Sequence, residues 1–452
     1  LELSNTNKEI TKKNQLIDYI ASGFKPKENF KVGLEFESFL INKKYMETLP
    51  YYHGYGLQRP SIRSILRKFD HKKWKDVNEK HSTNTIGLQS DIGNISLEPA
   101  GQFEYSSIPT KNLHELNKFT NEYFDELLPI LQKQEVGIYN LGINPKFSLS
   151  ELPLMPKERY EIMNNYMPRV GSMGRNMMRQ TCTLQTNLDY KDEADLIKKI
   201  RVSMALQPLV GALFANSPIF EGKLTGDLSH RIRVWQNTDK DRSGLLKSVF
   251  NDDFNIEKYV DYAIMLPIYF LYRDSKYINI PHITFKDYMN GKYKFNNLTP
   301  IVDDFETHLS TVFPDIRLKT YLETRLADCP DKDYLITLSA LFVGILYDDN
   351  ALDSVYSVIK SWSYEELTQL KTDVITQGLN ATFKDKKLID ITKEILAISK
   401  EGLTARGLGE EIYLSPLENL VIKGKTLAES KIELFENLGQ NVDDFINAII
   451  MK

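Results

Sequence analysis

Cysteine is almost missing from this chain: among 452 residues only Cys182 and Cys329 occur. Two thiols exclude a disulfide framework and a cysteine-rich zinc site, and their scarcity fits a reducing compartment better than secretion. A mutual bridge is not expected, since Cys182 lies among strand residues and Cys329 beside Pro330. Long apolar runs are missing as well; none approaches the ~18–20 residues that span a bilayer. Neither sign of charge predominates, with 57 basic against 61 acidic residues and a net charge of −4. That balance argues against broad electrostatic binding to nucleic acid or anionic membrane, so neither is an expected partner. The first residues, Leu1-Glu2-Leu3-Ser4-Asn5, form neither a secretory apolar segment nor an arginine-rich transit peptide, and no initiator methionine precedes them. The expectation is a cytoplasmic protein, with a trimmed leader left open.

Familiar signatures of chemistry are absent too. No G-x-x-x-x-G-K-[ST] loop, G-x-G-x-x-G fingerprint, H-E-x-x-H, C-x-x-C or G-x-S-x-G occurs, and Gly171-Ser172-Met173-Gly174 is too short for a phosphate cradle. Any ATP must therefore be held by carboxylate-bound magnesium and by Arg or Lys on a sheet.

What is present is the mixture of an ordinary globular enzyme, 42% apolar and 26% charged. Residues up to about 24 are polar and helix-prone, and Pro26 ends the run. Residues 31–40 read as a strand, 94–98 and 102–106 as two short strands or one bulged strand, and 136–143 and 181–190 as further strands. Leu116, Phe119, Tyr123, Leu127 and Leu131 recur at a helical period. Asp192 opens a helix running to 215, with a kink at Pro208, while 228–235 and 317–328 read as strands. Residues 41–80 give no clean period. After Pro330 the pattern turns helical, with Ser363 and Glu366 at capping-box spacing. An α+β fold follows, with a catalytic unit over 1–330 and a mostly helical region over 331–452 packed on it.

Four clusters carry chemistry. In Gly33-Leu34-Glu35-Phe36-Glu37 the two glutamates share a strand face, ~6.5–7 Å apart, and can converge on a cation. Solvated glutamates on an exposed face fit the same pattern, although Val32, Leu34 and Phe36 suggest a strand where unpaired carboxylates are costly. Glu98 and Glu104 flank a Pro99-Ala100-Gly101 bend, with surface glutamates on a hairpin as the plainer reading. Gln185 and Asn187 share a face that binds metal or substrate, or is merely half exposed. Arg317, Lys319, Glu323 and Arg325 also fall on one face, as phosphate and magnesium ligands or as a structural ion-pair ladder.

The wider strings are more specific. Ile95-Ser96-Leu97-Glu98-Pro99-Ala100-Gly101-Gln102-Phe103-Glu104 resembles the I-S-L-E-P-G-G-Q-F-E segment of plant-type and proteobacterial glutamate–cysteine ligases. Met155-Pro156-Lys157-Glu158-Arg159-Tyr160 with Met163 is similar to that family's M-P-K-x-R-Y-x-x-M, and 177–189 to its M-M-x-x-T-C-T-x-Q-x-N-L-D. Agreement continues through Ala212–Pro218, Trp235–Gly244, Phe313–Lys319, Tyr321–Asp328, Leu341–Asp348 and Gly402-Leu403, covering about residues 30–430. Ala100 replaces the family's first glycine, and Tyr105-Ser106-Ser107 replaces a Leu-Ser-Gly-like end, which puts the hairpin's geometry and the acceptor's edge in question.

The resemblance implies a glutamine-synthetase-like antiparallel sheet forming an open funnel, with flanking helices. It implies ATP-dependent ligation of cysteine to glutamate's γ-carboxylate through γ-glutamyl phosphate, the first step of glutathione biosynthesis. Candidate ligands of Mg²⁺, or Mn²⁺ in its place, are Glu35, Glu37, Glu98, Glu104, Gln185 and Glu323. Arg325 and Arg317 are the expected catalytic, phosphate-binding residues, joined by Lys319; Arg231, Arg233, Trp235, Arg242 and Asn187 are expected on the amino acids. A loop at 168–175 is the expected cover. The partners are glutamate, cysteine and ATP, with the chain a monomer or homodimer. The rivals are a γ-glutamyl ligase using another amine and an inactive nucleotide-binding relative.

Overall fold

The computed structural model describes residues 8–53, 59–79, 82–280, 283–292 and 298–451; the opening Leu1–Asn5 segment read above lies outside them. Its organising element is an antiparallel sheet of nine strands: β1 (Val32–Asn42), β2 (Lys75–Asn78), β3 (Thr85–Gln89), β4 (Gly93–Leu97), β5 (Phe103–Ser107), β6 (Val136–Tyr139), β7 (Leu184–Leu188), β8 (Ile316–Leu318) and β9 (Leu322–Thr324). The order is β8-β9-β7-β1-β5-β4-β3-β2, and β6 pairs with the far half of β1. The mixed α+β class expected from the sequence is what the chain adopts.

The period-2 alternation of β1 gives the sheet two unlike faces. Leu34 and Phe36 are fully buried on one face, where Phe36 stacks on Phe124 at 5.5 Å between ring centroids. Phe124 belongs to α2 (Leu113–Lys133), preceded in the chain by α1 (Asn14–Ala21). The α2 apolar stripe, including Leu116, Tyr123, Leu127 and Leu131, packs under the sheet, and the Asn112 side chain caps it by accepting from the Glu115 N–H. Glu35 and Glu37 project from the opposite face.

The remaining helices used below are α3 (Glu158–Tyr166), α4 (Gly174–Gln180), α5 (Glu193–Ala205), α6 (Gln207–Leu213), α7 (His230–Gln236), α8 (Val302–Leu309), α9 (Thr337–Leu346), α10 (Tyr364–Gln377) and α11 (Leu388–Ala405). Asp192 caps α5 as expected, but the chain breaks at Leu206, so Pro208 sits in the first turn of α6, where its missing N–H leaves no gap. The Ser363–Glu366 capping box opens α10.

Two strand readings are corrected. Residues 228–235 alternate like a strand but form α7, capped by Ser229, and both Ile232 and Val234 are fully buried. A short helix enclosed on most sides shows no helical stripe, so its period is unreadable. Residues 317–328 contain not one strand but the β8–β9 hairpin, closed where the Lys319 N–H donates to the Tyr321 carbonyl. The 136–143 strand also ends early, at Tyr139. In the unassigned 41–80 stretch, β2 is exposed throughout, which explains the missing period.

Past Pro330 the named elements are mainly helices. Every residue of α9 is buried, and its Ser339 hydroxyl meets the Thr186 hydroxyl of β7 at 2.9 Å. Helix α11 crosses α9 so closely that a Cβ on Gly402 would stand 2.0 Å from the Gly344 carbonyl oxygen. That contact accounts for both glycines. No single helix among the described residues is long and apolar enough to cross a membrane.

Candidate active site

Strand register assembles the polar row. Glu37 lies opposite Glu104, Glu35 opposite Gln185, and Glu323 between Asn187 and Arg317. These side chains meet at a cavity of about 320 Å³ lined by the expected Glu35, Glu37, Glu98, Glu104, Gln185 and Lys319, and also by Arg231, Trp235, Arg317 and Arg325. The bend that brings Glu98 toward Glu104 depends on Gly101, whose φ of 86° suits glycine. Ala100 has no positive φ, so the departure from the family's Gly-Gly leaves that turn intact.

At one end of the cavity, Glu37, Glu98 and Glu104 each offer a carboxylate oxygen within 4.8 Å of the others. Burial, then the charges of Glu98 and Glu104, push the Glu37 carboxyl well above its ordinary range. Burial and Glu98 raise Glu104 to about 7. The backbone N–H of Thr183 donates to Glu37 at 3.1 Å and the Ser106 hydroxyl to Glu104 at 2.9 Å, but neither supplies positive charge. The Tyr160 hydroxyl lies 3.2 Å from Glu98, and the Lys157 ammonium donates to the Leu97 carbonyl at 2.7 Å. Three crowded oxygen donors fit a hard divalent cation.

The other end is cationic. Arg317 and Arg325 both hold Glu323, through Nη2–Oε1 at 2.7 Å and Nη1–Oε2 at 3.0 Å. Burial opposes ionisation of Glu323, yet Arg317, Lys319 and Arg325 outweigh it and hold the carboxyl far below its usual range. Glu323 is 1% exposed and stands behind the two arginines rather than lining the cavity. Arg325 also donates to the Gln185 side chain at 3.2 Å. Glu35, between the two ends, is raised to about 7 by burial and by the charges of Glu323 and Glu104, and it accepts from Asn187 at 2.6 Å.

Not every expected residue reaches this cavity. Arg233 grips Asp227 with its Nε at 2.7 Å, and its side chain is 43% exposed. Arg242 is fully buried on Asp239, with its guanidinium 3.9 Å from the Tyr269 ring centroid. Neither is among the lining residues. Asn187 opens instead onto an adjoining cavity of about 750 Å³, which shares Glu35 and is walled by Lys25, Phe30, Lys31 and Tyr321. Arg231 stays at the site, donating to the Leu326 and Arg325 carbonyls at 3.0 and 3.1 Å. Sequence reasoning gave no role to Lys157, Arg159, Tyr160, Ser310 or Phe313, all of which line the cavity; the M-P-K-x-R-Y match was the available signal for the first three. The expected cover at 168–175 contributes no residue to the cavity lining; Met177 and Met178 of α4, which follow it, do.

Comparison with known proteins is in accord with this geometry. The description "Glutamate-cysteine ligase family 2 (GCS2)" matches residues 31–445. Glutamate–cysteine ligase B, chloroplastic, of Oryza sativa subsp. japonica is 41% identical over 433 residues, covering 96% of this chain and 86% of that protein. The chloroplastic enzyme of Nicotiana tabacum is 41% identical over 440 residues, covering 97% and 83%. A crystal structure of glutamate–cysteine ligase from Francisella tularensis in complex with AMP shares the fold at a TM-score of 0.54 and 15% identity, covering 94% of this chain and 88% of that one. The cytoplasmic expectation is overturned, because these plant relatives carry chloroplastic names. Scarce cysteine reports redox conditions and not an address.

Proposed function

The chain belongs to glutamate–cysteine ligase family 2, and from that premise we propose how its residues divide the ligation. The reaction joins cysteine's amine to the γ-carboxylate of glutamate with ATP, the first step of glutathione biosynthesis. The observation that carries the division of labour is the meeting of a carboxylate triad without an ion-pair partner and a paired-arginine hairpin in one cavity.

In this reading glutamate's γ-carboxylate attacks the γ-phosphorus of ATP, ADP leaves, and γ-glutamyl phosphate forms. Cysteine's amine then attacks the acyl carbon, phosphate departs, and the amine's proton is lost. Mg²⁺ or Mn²⁺ held by Glu37, Glu98 and Glu104, with Glu35 and Gln185 adjoining, would neutralise charge on the phosphoryl oxygens, whereas Glu323, expected as a ligand, is committed to Arg317 and Arg325. Arg317 and Arg325 supply fixed positive charge there, and their grip on Glu323 means that little reorganisation is needed as charge develops. Lys319, whose ammonium lies 3.3 Å from the Tyr321 hydroxyl, is the third cation. Met163, Met177, Met178, Trp235 and Phe313 wall the cavity and keep water from the acyl phosphate. The nucleotide extends from Glu35 into the 750 Å³ cavity, where Lys25, Lys31 and Lys111 stand near its rim. Residues 1–330 carry the chemistry and 331–452 brace it.

Glutamate-dependent ADP release, measured across a panel of amines, tests the reading. Cysteine is expected to give the highest kcat/KM. A preference for methylamine or another carboxylate-free amine would overturn it.

A further inference from the structure

Strand β7 ends at Leu188, and Asp189 and Tyr190 follow it on the way to α5. They are 6% and 0% exposed. Every polar group of Asp189 is engaged. Its Oδ1 accepts from the Lys25 ammonium at 2.8 Å, and its Oδ2 from the Lys31 N–H at 2.7 Å. Its carbonyl accepts from the buried Lys199 ammonium at 3.0 Å, and its own N–H donates to the Tyr347 hydroxyl at 2.7 Å. That hydroxyl donates in turn to the Lys31 carbonyl at 2.5 Å. One carboxylate therefore holds the 25–31 loop at both ends.

Tyr190 holds a second segment. Its hydroxyl shares one proton between the Lys319 carbonyl of the β8–β9 turn, at 2.8 Å, and the Ile20 carbonyl of α1, at 2.9 Å. Its carbonyl accepts from the Lys25 N–H at 3.3 Å. The two segments meet at Gly23, where a Cβ would stand 2.2 Å from the Thr320 carbonyl oxygen and 2.7 Å from the Tyr190 hydroxyl. Lys25, Phe30 and Lys31 on the loop, and Thr320 and Tyr321 on the turn, border the same 750 Å³ cavity. The Lys199 ammonium, paired with Asp195 at 2.9 Å, also lies 4.1 Å from the centroid of the Phe30 ring.

We propose that Asp189 and Tyr190 are positioning residues for the nucleotide, joining the 25–31 loop and the β8–β9 turn into one wall against which its base and ribose lie. This rests on the reading above, in which the nucleotide extends from Glu35 into that cavity. A loop left free would lose conformational entropy each time nucleotide bound, so a loop ordered beforehand binds more tightly. Burial keeps water from competing for the bonds that order it. The triphosphate is held elsewhere, by the acidic triad and the arginine pair, so the Asp189 clasp acts on the base and ribose.

The test measures the KM for ATP, glutamate and cysteine in Asp189→Asn and Tyr190→Phe, with inorganic triphosphate as a competitive inhibitor that lacks base and ribose. Asp189→Asn should raise the KM for ATP on the order of 10-fold, because the charge facing Lys25 is lost. Tyr190→Phe removes only a hydroxyl and should raise it about threefold, which carries the comparison even where Asp189→Asn fails to fold. The KM for glutamate should hold in both, and triphosphate should inhibit Asp189→Asn as well as it inhibits the wild type. A parallel rise in all three KM values, a loss of kcat alone, or equal weakening of ATP and triphosphate overturns the proposal, since each would make the pair a general brace. Asn94→Trp probes the cavity independently: Asn94 is exposed on β4 and borders it, so an indole there should obstruct the nucleotide. An unchanged KM for ATP in Asn94→Trp would place the nucleotide elsewhere and remove the reading on which this inference stands. A raised KM in Asn94→Trp, with neither Asp189→Asn nor Tyr190→Phe following, would remove this inference alone.

Discussion

Glu104 and Glu323 occupy the same sheet, yet their protons are held in opposite ways. Glu104 is raised to about 7 by burial and the nearby Glu98, whereas Glu323 is held far below its normal range against the same burial by Arg317, Lys319 and Arg325. The difference lies in what is already present. The Arg317–Glu323–Arg325 end carries its own countercharge and is a finished piece of protein. The Glu37–Glu98–Glu104 end gathers charge that the nearby Lys157 and Arg231 only partly offset, with no ion pair to close it, which is how a cation seat differs from a structural ion pair.

The largest effects should separate these ends. Glu37→Gln is expected to lower turnover by about a thousandfold through loss of charge stabilisation on the phosphoryl oxygens. In chelator the variant should be at least as stable as the wild type, because a repelled buried charge has gone. Glu323→Gln should lose comparable turnover and also about 3–5 kcal/mol of stability, as two buried arginines are left unpaired. Urea unfolding in EDTA, alongside ADP release in excess Mg²⁺, reads both quantities. Equal destabilisation by the two substitutions would erase the distinction between the ends.

The basic end can also be loosened from behind. Lys371 of α10 meets Asp315 at 2.5 Å, both nearly buried, and the Asp315 carbonyl accepts the Arg325 N–H at 3.0 Å. Lys371→Met strands a buried carboxylate and should cost about 3 kcal/mol. Its kinetic signature should be a raised KM for ATP, with the cation dependence unaltered. A fall in Mg²⁺ affinity instead would show that the two ends are mechanically one.

A smaller effect isolates the acidic end. At a Mn²⁺ concentration 100 times its Kd, stabilisation over the chelated protein should be about 2.7 kcal/mol. Glu98→Gln should remove most of that shift in melting temperature, and Arg325→Ala should leave most of it. A full shift in Glu98→Gln would place the cation elsewhere.

How far this contrast was legible in the sequence depends on the range of the contact. Glu35 and Glu37 were readable because a period of 2 fixes their common face, and Gly101 marked the bend between Glu98 and Glu104. The two-sided clamp on Glu323 was not, because reading 317–328 as one strand hid the cross-strand partnership with Arg317. Arg233 and Arg242 were assigned from the resemblance at and beside Trp235–Gly244, but direction depends on a helix and a loop whose period was unreadable. Arg159 could be matched to a motif, yet its lack of a partner is a fact about three dimensions.

The smallest effect asks how far burial sets a proton where no carboxylate competes. His308 of α8 is fully enclosed, with Nε2 2.8 Å from the Ala263 carbonyl, and its ring packs 5.0 Å from that of Phe285. Burial, then the charge of Arg242, lowers its pKa to about 3 despite that carbonyl. The unfolded chain takes a proton near pH 6.5, while the folded one resists until about 3. Its contribution is therefore complete above pH 6.5 and is lost as the pH falls, at up to about 1.4 kcal/mol per pH unit. His308→Gln can retain a donor toward Ala263 without titrating, in either state. Urea midpoints at pH 7.5, 6.0 and 5.0 should show the wild type losing stability relative to this variant, with the gap opening only below pH 6.5. Parallel curves for the two proteins would mean that acid sensitivity arises from the carboxylates instead, and that His308 is not held neutral by its surroundings.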